Sequence, residues 1–387
     1  MNTVDRMPFT VVAAEGHYIT TSDGRRLFDM WNDEGVNSLG WNTGLLLGAI
    51  MKFFGEKRPH QLADIYPNDI RSQCADMLCQ ATRMDRVFFA NSGTESYEAA
   101  VKLARKHHHD RGTGKRSIAT LAGNFHGRTG FAMAASDASD SPYHKIGYDP
   151  MPEGFYVVES LDQIKVGETC AFSMATILGN NVVHTYSREW LLEVRKFCSD
   201  NDILLIFDEI QVGMGRTGDF TAWHNIGGDA LKPDIMTMGK GMAAGFPMAA
   251  CLAKEHVAVT FTPGTHFSTF AGSPFACWMN TLVLEYLDEH MCDIRDRGNQ
   301  IREEMKERVD QGWINEFDGM GIHWAFTPDW DAYDGFQFCE EMIRQGVVMA
   351  TWRKHGPIRF CPPLNISEDE LSMIFDAMDR AESALRK

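Results

Sequence analysis

Between residues 85 and 253, short apolar runs alternate with stretches of helical periodicity. Arg86–Ala90 reads as a strand, Asn91-Ser92-Gly93-Thr94 as a turn, and Glu95 to about His109 as a helix. Ser117–Ala122 is a strand ending in Gly123, Cys170–Leu178 is another, and Ser187 to Asp200 is helical. Ile203–Phe207 is a continuous apolar run ending in Asp208, the pattern of a parallel strand buried on both faces. Asp234–Met238 and Met248–Ala253 follow. Strands separated by helices predict a parallel α/β sheet. In such sheets functional residues gather beyond the carboxyl ends of the strands. That rule selects Asn91–Thr94, Gly123–Arg128, Asp208–Gln211 and Gly239–Gly241.

The flanks read differently. Thr10–Ala14, Tyr18–Thr20 and Arg26–Met30 are short strand candidates, with a Ser22-Asp23-Gly24 turn before the last. Asn42 to Phe54 carries Leu45, Leu46, Leu47, Ile50 and Phe53 at helical spacing. A long helix is expected from Pro274 to about His290, followed by α+β structure. The last helix runs from Glu368 to Leu385, and Ser367 with Glu370 forms a capping-box pattern at its start. No internal repeat or Ser/Gly/Pro linker divides the chain.

The 387 residues suffice for about two or three domain-sized units. Hydrophobic residues at 44% and charged residues at 23% exclude disordered and fibrous classes. With 53 acidic against 37 basic side chains, the net charge of −16 argues against nucleic acid or an anionic membrane as partner. One local basic pocket for a small anion remains compatible. The nine cysteines are scattered without C-x-x-C spacing, which favours a reducing cytoplasm over a disulfide framework or a zinc site. The start MNTVDRMPFT has no apolar signal region, and runs such as Ile203–Phe207 are too short to cross a bilayer. The expectation is a soluble cytoplasmic protein with no metal. His107-His108-His109 reads as a solvated helix end, because consecutive helical residues point in different directions. The Met-rich run Met236–Met248 reads as core and site lining.

Single residues leave the chemistry open. Asp208 fits a helix N-cap or an ion pair as well as a partner for a protonated ring nitrogen. Lys240 lies between Gly239 and Gly241 after a strand, an odd place for a solvated charge, and such an amine can form a Schiff base with an aldehyde. A Walker loop fails, because Asp234 stands five residues before Gly239 and Gly241 stands where Ser or Thr is required. No G-x-G-x-x-G follows a strand, which weakens a nicotinamide reading. Asn91–Glu95 suits either an anion at a helix N-terminus or simply a capped helix. Gly264–Gly272 is a second hydroxyl- and glycine-rich loop, and Gly123–Arg128 offers an aromatic and an arginine. Together these residues supply a phosphate cradle, a stacking aromatic, a carboxylate and a lysine, the set that pyridoxal phosphate requires.

The order NSGTES, NFHGRT, LLIFDEIQVGMGRTG, PDIMTMGKGMAAGFP, GTHFSTFAGSPFAC and GPIRFCPPLNI resembles the class III pyridoxal-phosphate aminotransferases, ornithine and acetylornithine aminotransferases above all. The resemblance runs from about Tyr18 to the C-terminus. It implies an α/β fold of type I, with a mainly parallel seven-stranded sheet in a large domain and a smaller α+β domain from both chain ends. The corresponding division is 1–45, 46–279 and 280–387. It also implies a homodimer with shared active sites.

Residue by residue, the resemblance makes Lys240 the Schiff-base lysine and proton carrier, and Asp208 the partner of the pyridine nitrogen. Gln211 matches the residue that bonds the cofactor's phenolic oxygen, and Phe125 the one that stacks on the ring. Ser92, Gly93 and Thr94 match the phosphate turn, and Thr269, with Ser268 beside it, the contribution of the neighbouring subunit. Arg128 matches the arginine for the α-carboxylate of ornithine-type donors, and Arg359 the one for the carboxylate of glutamate or 2-oxoglutarate. The implied reaction is ping-pong transfer of an amino group from an ornithine-like or other basic amino acid or diamine to a 2-oxo acid. Other chemistry of the class, aminomutation or decarboxylation, uses the same residues, and a cofactor-binding protein with little catalysis is a further alternative.

Two departures stand out. The family stretch resembling EPIQGEGG reads ATILGNNV, so that Asn180 replaces the glutamate that neutralises the switch arginine. Arg359 then binds carboxylates without gating or pairs with another acid. Asp33 and Glu34 stand near the expected pocket mouth, where relatives are mostly small and apolar. They are either loop charges or an acidic mouth suited to a cationic donor tail.

Overall fold

The computed structural model describes residues 6–137, 144–179, 183–329 and 331–386. Asn180 lies outside the described residues. The chain opens with strands β1 (Val11–Glu15), β2 (Tyr18–Thr21) and β3 (Arg26–Asp29), followed by a single turn, α1 (Asn32–Gly35). Helices α2 (Gly44–Gly55) and α3 (Asp69–Thr82) lead into β4 (Arg86–Ala90), α4 (Gly93–Asp110), β5 (Ser117–Leu121) and α5 (Gly130–Ala135). Next come β6 (Phe155–Val158), β7 (Thr169–Ala175), β8 (Ile177–Leu178), β9 (His184–Thr185), α6 (Arg188–Asp200) and β10 (Leu204–Asp208). The middle ends with α7 (Ala222–Gly227), β11 (Ile235–Met238), β12 (Ala249–Ala253), α8 (Glu255–Ala258) and α9 (Pro274–Asp310). The last part holds β13 (Ile314–Met320), β14 (His323–Pro328), α10 (Gly335–Arg344), β15 (Val347–Val348), β16 (Ile358–Phe360) and α11 (Glu368–Leu385).

The seven-stranded sheet has the order β4-β12-β11-β10-β7-β5-β6. Only β12 runs against its neighbours, so the sheet is mixed and mainly parallel, as expected. Every residue of β10, β11 and β12 is buried. The two-residue period of a strand sends Leu205 and Phe207 into one apolar cluster and Leu204 and Ile206 into another on the opposite face. The Met-rich run joins this core through Met236, Met238, Met242 and Met248. A smaller sheet, β1-β2-β3-β15, brings the two chain ends together, with β15 parallel to β3. The strands β13-β14-β16 form a third sheet.

Three expectations change. The strand Cys170–Leu178 is broken at Thr176, whose hydroxyl donates to the buried Glu209, and β8 leaves the large sheet to pair with β9. The long helix passes His290 and ends at Asp310. It passes through Gly298, where a Cβ would lie 2.5 Å from Gly321 O, so this glycine serves close packing and does not stop the helix. Helix α9 also runs unbroken through 279 and 280, the second division expected from the sequence.

The third change concerns the histidines. His107 and His108 are buried and only His109 is exposed: His107 packs against His256 of α8, and His108 faces Thr113 in the segment after α4. His108 Nδ1 lies 2.9 Å from Thr113 Oγ1, and burial pushes its pKa down to about 4. An unfolded imidazole titrates near 6.5, so between those values the unfolded chain takes up a proton that the folded one refuses. Stability therefore falls as the pH drops through this window, by on the order of 3 kcal/mol at its lower end. His108→Gln is expected to flatten that loss. A variant whose Tm falls as steeply as the wild type's between pH 6.5 and 4.5 would show that the loss has another source.

Candidate active site

The large sheet positions the site by its polarity. The carboxyl ends of β4, β5, β10 and β11 open on one edge, and the turns that follow them carry the residues selected above. A cavity of about 530 Å³ lies there, lined by Gly93, Thr94, Phe125, Arg128, Asp208, Gln211 and Lys240 from the large sheet's turns. Glu34 reaches it from the N-terminal turn and Arg359 from β16.

Asp208 ends β10 and is buried at the cavity floor. One carboxylate oxygen lies 2.6 Å from His126 Nδ1, and the other accepts from the Ile210 amide at 3.1 Å. His126 is itself buried and stacks on Tyr97, with ring centroids 4.3 Å apart and planes 10° from parallel. Tyr97 donates from its hydroxyl to Ser173 Oγ at 2.9 Å. The adjacent Glu209 points elsewhere. It accepts from the Ala222 and Trp223 amides at the start of α7, and burial pushes its pKa up to about 7.

The first turn of α4 forms another wall. Ser92 Oγ caps the helix by accepting from the Glu95 amide at 3.4 Å, which leaves the amides of Gly93 and Thr94 free of intrahelical bonds. These two residues line the cavity, whereas Ser92 stands behind them as the cap. A Cβ on Gly93 would lie 2.9 Å from Ile210, so a glycine is required to admit the close approach. Thr94 Oγ1 lies 2.6 Å from Thr129 Oγ1, which also bonds Glu98 at 2.6 Å. Phe125 and Arg128 come from the loop after β5. The Arg128 guanidinium sits 5.7 Å over the Phe125 ring, with one nitrogen 3.0 Å from His144 Nε2.

Lys240 stands at φ 43° in the turn after β11. Its Nζ is 2.6 Å from Glu34 Oε2. Gln211 links it to Arg359 when the amide is oriented by its partners. The amide oxygen then accepts from Lys240 Nζ at 3.1 Å and Arg359 Nη1 at 3.3 Å, and the nitrogen donates to Gly179 O at 3.2 Å. Arg359 is buried and also donates from Nη2 to Gly179 O, while its Nε has no partner among the described residues. Burial holds the Arg359 pKa below its ordinary value, with the Glu34 charge opposing. For Glu34 the order of effects is burial, which raises its pKa, then Lys240 and Arg359, which together bring it below the usual carboxylate range. His323, fully buried beneath this group, is held well below its normal pKa by burial and the nearby cations.

Ser268 and Thr269 do not line this cavity. Asn91 Nδ2 donates to Ser268 Oγ at 3.2 Å, and Gln61 Nε2 donates to Thr269 O at 2.8 Å. Sequence reasoning gave no role to His126, although it sits inside the quoted NFHGRT stretch. It also missed Trp352 and Arg353, which line the cavity beside Arg359. Trp352 packs on Trp31 at 5.3 Å, a long-range contact without local signal.

The donor set suits pyridoxal 5′-phosphate. A buried carboxylate, an amine, an aromatic ring and two helix residues whose amides have no intrahelical bonds line one cavity. Such a site on a mixed seven-stranded sheet with a smaller domain from both chain ends defines a type I pyridoxal-phosphate fold. Comparison with known proteins agrees. The model of the family "Aminotransferase class-III" matches residues 1–381. The acetylornithine aminotransferase of Aquifex aeolicus is 34% identical over 100% of this chain and 98% of its own length. That of Caldanaerobacter subterraneus subsp. tengcongensis is 35% identical over 100% of this chain and 98% of its own. An ornithine aminotransferase structure from Toxoplasma gondii, with partial occupancy of pyridoxal phosphate at its active site, superposes with a TM-score of 0.87. It shares 25% identity and covers 99% of this chain and 93% of its own. The chain belongs to the class III aminotransferases, enzymes that depend on pyridoxal phosphate.

Proposed function

We propose that the protein transfers an amino group from an ornithine-type donor to 2-oxoglutarate, with Lys240 and Asp208 at the centre of the site. The observation that carries this reading is that one cavity holds an amine, a buried carboxylate and arginines on different walls, Arg128 on one and Arg359 with Arg353 on another. When bound, the cofactor withdraws electrons from the substrate Cα and so makes its proton removable. Lys240 would hold the cofactor aldehyde and, as a free amine, would move the proton at the substrate Cα. Asp208 keeps a positive charge on the ring nitrogen, and His126 fixes the orientation of its carboxylate. Phe125 would flank the ring, Gln211 would bond the phenolic oxygen, and Gly93 and Thr94, on the turn capped by Ser92, would take the phosphate. Arg128 and Arg359 bind the carboxylates of donor and acceptor, for which a planar guanidinium fork is suited.

The same reading includes a homodimer in a reducing cytoplasm. Ser268 and Thr269 do not line the cavity of their own chain, which suits service in the site of a second copy. The large apolar side chains Leu45, Leu47, Met51 and Phe54 on α2, with Ile65, Tyr66, Phe267 and Phe270, are exposed on a single chain. A second copy would cover them. The nine free cysteines suit a reducing compartment. Among the described residues no helix is long and apolar enough to cross a membrane, and no group of side chains could hold a metal.

The test is to supply the cofactor-loaded protein with 2-oxoglutarate and, in turn, ornithine, N-acetylornithine, lysine and a diamine, and to measure glutamate. Glutamate is expected in equal amount to donor consumed, with ornithine preferred over N-acetylornithine. Carbon dioxide or an isomerised donor without glutamate would instead favour decarboxylation or aminomutation.

A further inference from the structure

The described cavity contains an acid that the proposed chemistry does not employ. Glu34 Oε2 lies 2.6 Å from Lys240 Nζ, and Arg359 faces the same space across Gln211. The backbone that delivers Glu34 is unusual. Asn32, Asp33 and Glu34 have φ values of 49°, 49° and 58°, three consecutive left-handed residues that are not glycine. Asparagine and aspartate visit this region, but a glutamate there is strained. The Asn32 side-chain amide is buried with neither its oxygen nor its nitrogen bonded among the described residues. Such a turn persists only when the surroundings hold it, and they do. Gly35 O accepts from Arg216 Nη2 at 3.3 Å, and Ser38 Oγ donates to Gly241 O at 2.9 Å next to Lys240.

We infer that Glu34 is a specificity-determining residue, a resident carboxylate that partners Arg359 when the bound amine brings no second carboxylate, and that opposes dicarboxylates there. This deepens the proposed function and rests on it. With the Lys240 amine committed to the cofactor, Arg359 is the other cation whose charge acts on the Glu34 carboxylate. A donor with a cationic tail meets a neutral pair with a negative face toward the cavity. A dicarboxylate must displace Glu34 or bind beside it, against like-charge repulsion at a half-buried site. Asp33, on the same turn, does not line the cavity.

Binding of glutarate, a dicarboxylate without an amine, can be measured by calorimetry on the cofactor-loaded protein. Glu34→Gln is expected to tighten it about tenfold, and to raise the KM for ornithine about tenfold. Glu34→Gly gives the same shifts while relieving the left-handed strain, so a folding defect in the first variant cannot mask the effect. Asp33→Asn is expected to change neither value. Equal shifts in Asp33→Asn would reduce the effect to net charge and overturn the inference, as would unchanged glutarate affinity in both Glu34 variants. Borohydride trapping of the wild type separates the two levels. If no adduct forms on Lys240, the proposed function fails; if it forms and glutarate binding is indifferent to Glu34, only this inference fails.

Discussion

Replacing Lys240 with alanine is expected to lower kcat by on the order of 10⁴-fold. Two tasks are lost together. The side chain no longer holds the cofactor aldehyde, and no free amine remains above the substrate Cα to move its proton. Neighbouring side chains do not replace it: Glu34, its 2.6 Å partner, has no amine to join the aldehyde, and Gln211 does not titrate. Borohydride reduction followed by peptide mapping measures the first loss, and steady-state transfer measures the second. Wild type should carry the reduced adduct on the peptide containing Lys240, and the variant should carry none. An adduct on any other lysine of the wild type would remove the basis of the functional reading. Because lost proton transfer by one group can be replaced by a small amine, added methylamine should restore part of the variant's rate.

Asp208→Asn is expected to reduce kcat by about 10²–10³-fold, the usual scale for one preorganised charge at a reacting centre. The change is nearly isosteric. It keeps an oxygen for the Ile210 amide and a partner for His126, so the fold at the end of β10 should survive. What disappears is the negative charge that keeps the ring nitrogen protonated. The loss should fall on kcat more than on KM, because the charge acts on the carbanionic transition state and not on substrate binding. The cofactor absorbance should also change its pH dependence. Loss of rate without any spectral change would place Asp208 outside the proposed role. His126→Asn, which loosens the carboxylate without discharging it, should cost less than Asp208→Asn in the same assay.

The residues at strand ends were legible because sequence and geometry share one cause. An apolar run buried on both faces must expose its next polar residue at the sheet's edge, which is why Asp208 and Lys240 could be picked from the chain alone. The same logic located Phe125 and the Gly93 turn. Glu34 was legible only as an acid near the mouth. Its place beside Lys240 depends on three consecutive left-handed residues; Asn32 and Asp33 are types that visit that region, but nothing local puts Glu34 there. The His126–Asp208 pair escaped because it joins residues 82 apart through the packing of Tyr97. The length of α9 was underestimated for a related reason: whether Gly298 breaks a helix is decided by Gly321, which touches it from another segment. The buried histidines of α4 show the same limit, since His107 is covered by His256 of α8 and not by the polar run around it.

The pairing of β3 with β15 has a consequence for how the molecule is made. Residues 26–29 leave the ribosome early, yet their parallel neighbour, residues 347–348, is synthesised more than 300 positions later. Closing so large a loop can only follow near-complete translation. The strands of the large sheet, all between residues 86 and 253, can already associate by then. A nascent chain would therefore acquire the floor around Asp208 first and the wall bearing Glu34 and Arg359 last.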